Sequence, residues 1–152
     1  PANVSLTVVG EGSARQTAED VALARRLQIQ FLGSQESHDV RSLMSSSRGL
    51  VFPSKALEGA PLVYGEAMSA GLPVVAAEGS TVAAQALADQ TGTTFDLGDD
   101  TSLHEALQYI SEHRPELSHR AKSIYQRRYT PNVWIDGITD TYQRAILAQI
   151  AQ

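Results

Sequence analysis

The chain has 152 residues, of which 42% are hydrophobic, and its formal net charge is -5 at pH 7. This length fits one domain that can bury most of its apolar surface, and the acidic balance argues against nucleic acid or an anionic membrane as the main partner. The absence of cysteine excludes disulfides and thiolate metal sites, and no apolar run is long enough to span a membrane.

A first strand is predicted at residues 4–9, which are rich in β-branched side chains. Gly10 and Gly12 follow it. Glycines just beyond a strand either form a tight turn or let a ligand approach the backbone closely, and the sequence leaves both interpretations open. The third glycine of a dinucleotide-binding fingerprint is missing, so that motif is excluded. A charged helix is predicted over residues 13–27.

A second strand is predicted at residues 28–33, where apolar side chains alternate in part, and a short helix at residues 37–46. Asp39 falls in the first turn of this helix, where the helix dipole favours an acid. His38 is interpreted as a solvated helix residue, because no second histidine or acid accompanies it at metal-ligand spacing.

The centre of the chain predicts a strand at 50–52, a loop, and a helix that begins at Leu62 and stops at Gly71. Unpaired N–H groups and the positive end of the dipole attract phosphate at a helix start. The amides of Leu62 and Val63 are therefore a candidate anion site.

Two acids flank this candidate site, Glu58 on the loop and Glu66 about one turn inside the helix. Singly, each could be an ordinary surface acid. Beside an anion site they favour another interpretation, because carboxylates accept hydrogen bonds from hydroxyls. A nucleoside diphosphate sugar carries hydroxyls on both sides of its phosphates, on the sugar and on the ribose.

The stretch E-G-A-P-L-V-Y-G-E-A-M-S-A-G-L-P-V-V-A resembles the E-x7-E segment of the retaining family 4 glycosyltransferases, which have the GT-B fold. The resemblance implies that Glu58, Gly59 and Ala60 bind the donor sugar. It implies that the amides of Leu62 and Val63 hold the diphosphate and that Glu66 binds the ribose. It also places Gly10 and Gly12 near the nucleotide, and the loop of Ser34 and Gln35 against the base.

Downstream, residues 73–77 form a continuous apolar run, typical of a strand buried on both faces of a parallel sheet. Residues 78–81 are predicted to cap a helix that runs through Ala88, and a fifth strand follows at 91–95. The adjacent Asp99 and Asp100 are interpreted as an N-cap turn rather than a metal site.

The last third of the chain is predicted to be helical from 103 to 128, with a break at Pro115, and again from 131 to 151. The final helix has one apolar face, made of Trp134, Ile138, Tyr142, Ile146 and Ile150. Such a face is usually core, although the resemblance implies that this region crosses towards an amino-terminal domain and is partly exposed here. Five basic residues are interpreted as a solvated face: Arg114, Arg120, Lys122, Arg127 and Arg128.

Five strand-helix units predict a doubly wound, Rossmann-like α/β domain with a parallel five-stranded sheet over residues 1–152. Compared with a GT-B carboxyl-terminal domain, the sequence begins one strand-helix unit late, and it lacks the amino-terminal domain. We therefore expect a fragment. The strand at 4–9 is expected to pair directly with the strand at 50–52, which gives the order 2-1-3-4-5.

The predicted function is the donor-binding half of a retaining glycosyltransferase that transfers a hexose-type sugar to a glycan or a lipid-linked acceptor. The absent domain would bind that acceptor, so the chain alone is expected to be inactive. No cofactor or metal is expected besides the nucleotide sugar, and the expected location is the cytoplasm, at the inner face of the membrane if the absent part docks there.

The alternative is a flavodoxin-like binding or signalling module. A receiver domain would have an aspartate at the end of the third strand, where Pro53 and Ser54 stand. A flavin mononucleotide module would have a hydroxyl-rich phosphate loop after the first strand, where the sequence has Gly10 to Ser13.

Overall fold

The computed structural model describes residues 5–55 and 61–150. Three predicted sugar-binding residues, Glu58, Gly59 and Ala60, lie outside the described residues. The chain divides into two compact units, Pro1–Leu43 and Met44–Gln152. Each unit contains its own parallel sheet.

The first unit contains β1 (Leu6–Val9), α1 (Arg15–Ala24) and β2 (Ile29–Gly33), and α2 (Ser37–Ser46) spans the boundary between the units. β1 and β2 are parallel, with Leu6 opposite Ile29 and a register shift after Val8. The strand positions agree with the sequence pattern to within two residues. His38 is exposed, as expected of a solvated helix residue.

α1 ends earlier than the predicted residue 27. Arg26 adopts a left-handed conformation with φ of 53°. Its N–H bonds to the carbonyl of Leu23 at 3.1 Å, and the N–H of Leu27 bonds to the carbonyl of Ala22 at 2.9 Å. This bond pair is a Schellman motif, which usually has glycine at the left-handed position. Because arginine is not a typical residue at this position, the sequence contains no sign that the helix ends here, and the predicted helix was three residues too long.

The second unit alternates strands and helices and ends in a run of helices. In chain order it contains β3 (Leu50–Phe52), α3 (Leu62–Ala70), β4 (Val74–Ala77), α4 (Thr81–Asp89), β5 (Gly92–Phe95), α5 (Asp100–Glu112), α6 (Arg114–Ile124), a π-helical turn (Tyr125–Tyr129) and α7 (Pro131–Ile150). The three strands are parallel, in the order β3-β4-β5. The predicted α/β class is confirmed.

The predicted strand order 2-1-3-4-5 is wrong. Among the described residues β1 pairs with β2 alone, and β3 pairs with β4 alone. The prediction assumed that open edges would leave buried N–H and C=O groups unpaired. That condition is not met, because Leu6 is 42% and Val9 40% exposed and β3 is only half-buried. Water can satisfy backbone groups on strands that are this exposed.

The core of the second unit lies around β4, whose four residues are all 0% exposed. Both faces of this strand are therefore covered, as the apolar run predicted. A cluster on one side joins the sheet to α5 and α6, and it consists of Val75, Ala77, Phe95, Ala106, Ile110 and Leu117. Full burial of one large apolar side chain contributes about 1.5–3 kcal/mol, so this cluster is what anchors the two helices to the sheet.

The C-terminus of α3 explains how the chain reaches β4. Gly71 is left-handed, with φ of 67°. The N–H of Leu72 donates to the carbonyl of Ala67 at 2.8 Å, and the N–H of Gly71 donates to the carbonyl of Met68 at 3.0 Å. The predicted stop at Gly71 is confirmed, and its mechanism is a Schellman motif.

The carboxyl-terminal helices depart from the sequence pattern in two places. The helical break falls at His113, and Pro115 lies in the first turn of α6, where the missing N–H is not needed. The apolar face of α7 is not core, as such a face usually is, because Trp134 is 65% and Tyr142 67% exposed; this exposure agrees with what the resemblance implied. Within the described part of the chain, no helix combines the length and the apolar character that a membrane span requires.

Candidate functional site

The carboxyl ends of β3, β4 and β5 lie at one edge of the sheet of the second unit, because the three strands are parallel, and a helix follows each strand in the chain. Two of the helices that follow have side-chain caps. Ser80 Oγ accepts a hydrogen bond from the N–H of Ala83 at 3.0 Å at the start of α4. Asp99 Oδ1 accepts from the N–H groups of Thr101 and Ser102 at 2.9 and 3.1 Å at the start of α5. Both caps were predicted from the sequence and are confirmed.

The third helix, α3, begins without a side-chain cap. It follows Pro61, which is extended with ψ of 106°. The N–H of Tyr64 bonds back to the Pro61 carbonyl at 3.1 Å. Within the described ranges, the N–H groups of Leu62 and Val63 have no acceptor. Among the described residues, α3 thus presents two N–H groups without an acceptor and the positive end of its dipole, which is the requirement for binding an anion.

Glu66 lies one turn further along the same helix. Residues three and four apart share a helix face, so Glu66 is on the face of Val63 and Leu62. Its side chain is half-buried, and no side chain in the described part of the chain pairs with its carboxylate. A free carboxylate here can accept hydrogen bonds from a hydroxyl group next to a phosphate held at the helix start.

An acid pair at the same sheet edge was missed by the sequence analysis. Glu78 follows β4 and Asp96 follows β5. A hydrogen bond to Asp96 and the charge of that carboxylate raise the pKa of Glu78, and nearby Lys55 opposes this. The pairing of neighbouring parallel strands could have suggested that these two residues meet, because each comes directly after its strand.

Behind α3 lies a buried polar network that the sequence did not predict. The Tyr64 hydroxyl donates to Asp89 Oδ2 at 3.0 Å and lies 2.7 Å from Thr91 Oγ1. Asp89 Oδ2 also accepts from Gln85 Nε2 at 2.8 Å, and Asp89 Oδ1 accepts from Arg128 Nη1 at 2.6 Å. The carboxylate is 2% exposed. Its partners come from three elements, α3, α4 and the π-helical turn, and only Gln85 is a near neighbour in the sequence, so no local motif indicates the network.

This network ties α3 to the segment between α4 and β5. Tyr64 is 1% exposed, and its ring packs edge-on against Tyr129 with ring centroids 6.0 Å apart. Gly65 follows Tyr64, and a Cβ there would lie 3.4 Å from the Tyr129 ring. The helix that carries Leu62, Val63 and Glu66 is therefore both hydrogen-bonded and packed on its buried side.

Burial raises the pKa of Tyr64 far above the ordinary 10.0, and the negative charge of Asp89 adds to this. In the unfolded chain the Tyr64 hydroxyl therefore loses its proton near pH 10, whereas in the folded chain it keeps that proton to higher pH. The stabilisation from this tyrosine is complete below pH 10 and is lost as the pH rises further. We expect the urea midpoint to fall as the pH rises above 10, and to fall less steeply in Tyr64→Phe.

Tyr64→Phe should also lower stability at pH 7 by about 1–2 kcal/mol, because two buried hydrogen-bond partners lose the hydroxyl. Tyr142→Phe is the matched control, since Tyr142 is 67% exposed. If the control and Tyr64→Phe give the same pH profile, Tyr64 is not the group that resists ionisation.

In the first unit the predicted loop residues come together at one edge of its sheet. The N–H of Gly10 bonds to the carbonyl of Gly33 at 2.7 Å, which joins the turn after β1 to the loop after β2. Gln35 Nε2 donates to the carbonyl of Leu32 at 2.8 Å, so the amide shapes the loop that also contains Ser34. The two loops therefore form one continuous surface within this unit.

The two glycines of the first turn differ in what they require. Gly10 has φ of 119°, a conformation that favours glycine, whereas Gly12 has no such constraint. A Cβ at either position would meet nothing within 4 Å in the described part of the chain. Turn geometry explains Gly10, and the open space at Gly12 leaves room for a ligand.

Arg15 secures this surface. It forms ion pairs with Glu11 and Glu19, and its Nη2 donates to the carbonyl of Phe31 at 3.4 Å. Its Nη1 would lie 2.8 Å from a Cβ on Gly33, so the guanidinium covers the start of the second loop. The sequence analysis predicted a charged helix here and did not identify these contacts.

Comparison with known proteins identifies the kind of chain that carries these features. Residues 2–128 match the sequence profile of a family described as Glycosyl transferases group 1. The O-antigen biosynthesis glycosyltransferase WclY of Escherichia coli is 29% identical over 128 residues, which are 81% of this chain and 34% of that protein. The chain thus spans about a third of the length of the curated relatives it matches.

Solved structures of other proteins also resemble this chain. WaaG, a glycosyltransferase involved in lipopolysaccharide biosynthesis, aligns with a TM-score of 0.67 and 26% identity over 82% of this chain and 34% of that one. HepE from Anabaena, solved in complex with UDP, aligns with a TM-score of 0.76 and 22% identity over 95% of this chain and 42% of that one. The second likeness shows the fold alone.

Proposed function

This chain belongs to the group 1 glycosyl transferases and has their GT-B type of α/β fold, and from that premise we propose that it binds the nucleotide diphosphate sugar donor of a retaining family 4 enzyme. The reaction is the transfer of a hexose-type sugar to a glycan or a lipid-linked saccharide. The acceptor is held by an amino-terminal domain of the same protein. The proposal requires no cofactor or metal, and it places the enzyme in the cytoplasm.

The observation that carries this proposal is the uncapped start of α3. Among the described residues no side chain caps α3, whereas Ser80 caps α4 and Asp99 caps α5. A cap would occupy the N–H groups that a phosphate needs. In the reaction these amides of Leu62 and Val63 stabilise the diphosphate as it leaves the sugar.

The remaining roles follow the resemblance. Glu66 accepts hydrogen bonds from the ribose, and Glu58, with Gly59 and Ala60, binds the sugar. In the first unit, the loop of Ser34 and Gln35 contacts the base, and the open side of Gly12, next to Gly10, admits the nucleotide.

We expect Glu66→Ala to weaken UDP binding by about 1.5–3 kcal/mol, because charge-assisted hydrogen bonds to the ribose hydroxyls are lost. Glu58→Ala should leave UDP affinity unchanged and lower turnover of the sugar donor. The measurement is calorimetry on the full-length protein with UDP, GDP and ADP, followed by assays with the corresponding sugar donors. UDP is the first nucleotide to test because HepE was solved with it.

Glu105→Ala is the matched control, an exposed acid on α5. Equal UDP affinity in Glu66→Ala and this control would overturn the ribose assignment. Flavin mononucleotide is the second ligand in the titration. Binding of the flavin without any nucleotide diphosphate would favour the flavodoxin-like alternative.

A further inference from the structure

A cavity of about 320 Å³ lies in the second unit, away from the α3 start. It is lined by Ala88, Asp89, Gln90, His119, Arg120, Ser123, Ile124, Arg127 and Arg128. Asp89 and Gln90 come just before β5, whereas the turns into α3, α4 and α5 come after their strands. The cavity is therefore at the opposite edge of the sheet from the proposed donor site.

Three arginines that the sequence suggested were a solvated face meet at this cavity. Arg120 comes from α6, and Arg127 and Arg128 come from the π-helical turn. A π-helical turn winds more widely than an α-helix, and such turns are frequent at functional sites. Here the turn lets two consecutive arginines line the same cavity.

The arginines retain donors for a ligand. Arg128 Nη1 is 2.6 Å from Asp89, and Arg120 Nη2 is 2.6 Å from Glu116. Arg127 Nε donates to the carbonyl of Ser123 at 3.3 Å, and no carboxylate of the described residues lies within 4.0 Å of its guanidinium. Each guanidinium has five N–H donors, so most of them are not used by these contacts.

We propose that this cavity binds a phosphate group. Several guanidinium groups converging on one space match the tetrahedral oxygens of phosphate, which accept charge-assisted hydrogen bonds from more than one direction. The charge of Asp89 is compensated by Arg128 at 2.6 Å, and among the described residues Arg127 contributes a positive charge that no carboxylate pairs with. The volume is near the lower end of the roughly 300–1,000 Å³ of small-molecule sites, which suits a phosphate carrying a small group.

A simpler explanation must be separated from this one. Arginines near the C-termini of α4 and α6 are stabilised by the helix dipoles whether or not a ligand binds. A dipole-stabilised surface predicts only weak, non-saturating attraction to anions that disappears with salt. A specific phosphate-binding site predicts that the binding of phosphate saturates at constant ionic strength.

The test is an NMR titration of the ¹⁵N-labelled full protein with sodium phosphate at fixed ionic strength. We expect saturable shifts in residues 119–128, with a Kd of about 1 mM, which corresponds to about 4 kcal/mol. Arg127→Gln should raise this Kd about tenfold, and Arg120→Gln should raise it less because Arg120 shares its charge with Glu116. Arg128 is left intact because it pairs with buried Asp89.

Arg144→Gln is the control. Arg144 lies on α7 and pairs with Asp140, and its substitution removes the same charge at a position far from the cavity residues in the sequence.

A parallel experiment uses vesicles of phosphatidylcholine with and without phosphatidic acid. Saturation by free phosphate identifies a soluble ligand, and Arg127-dependent binding to phosphatidic acid vesicles alone identifies a lipid headgroup. Either supports the phosphate site. Responses that are absent, or equal in Arg127→Gln and Arg144→Gln, overturn it whatever UDP binding shows.

Discussion

Gly92→Ala should destabilise the second unit by about 3 kcal/mol or more, a large fraction of the stability of a typical domain. A Cβ at Gly92 would lie 1.8 Å from the carbonyl oxygen of Val74 and 2.7 Å from its carbonyl carbon. Those atoms are backbone, so no side-chain rotation can relieve the clash. β5 would have to move away from β4, which is the buried centre of the sheet.

Overpacking of a core usually costs about 1–3 kcal/mol, and a backbone clash that separates paired strands belongs at or above the upper end. The measurement is urea unfolding followed by circular dichroism. Gly137→Ala is the matched control, because Gly137 lies in the exposed helix α7 and a Cβ there would meet no atom of the described residues within 4 Å. It should stabilise by about 0.5–1 kcal/mol, since alanine is the better helix former. An unchanged midpoint for Gly92→Ala would contradict the strand register described for β4 and β5.

Asp89→Ala should destabilise the same unit by about 2–4 kcal/mol. The substitution removes the acceptor of the Gln85 amide and one of the two partners of the buried Tyr64 hydroxyl, which keeps only its contact with Thr91 Oγ1. It also removes the partner of Arg128, but that side chain is 54% exposed and can be hydrated. Most of the loss is therefore expected on the Tyr64 side of the network.

A double-mutant cycle separates the two sides. Arg128→Ala alone leaves Asp89 charged and 2% exposed with only uncharged partners, which is the costlier way to break a buried pair. In the double variant with Asp89→Ala, part of that loss should be recovered. The exposed pair of Arg144 and Asp140 is the control, and breaking it should change stability by less than about 1 kcal/mol. Strict additivity at Asp89 and Arg128 would show that the ion pair contributes nothing.

The parts of the fold that depend on near neighbours in the chain were predictable. β4 could be recognised because five consecutive apolar residues suit a strand covered on both faces. The caps at Ser80 and Asp99, and the stop at Gly71, could be recognised because each mechanism acts within one turn of its residue. Leu62 was assigned as the start of α3 from the helical pattern that begins there.

What only the tertiary structure decided involves residues far apart in the sequence. Tyr64 and Arg128 meet at Asp89 because α3, α4 and the π-helical turn pack together, and helical periodicity cannot show that. Gly92 looked like an ordinary strand residue until its backbone was placed against Val74.

The strand order was decided in the same way. Residues 6–9 and 50–52 are compatible with pairing to more than one neighbouring strand, so their sequence does not predict which strand they pair with. An unpaired strand edge is tolerated where water can reach its backbone groups, and that depends on the tertiary structure. Local sequence thus determined the elements and the uncapped start of α3. Packing alone determined the partners of β1, the buried network behind α3 and the convergence of three arginines, because these depend on which surfaces exclude water from one another.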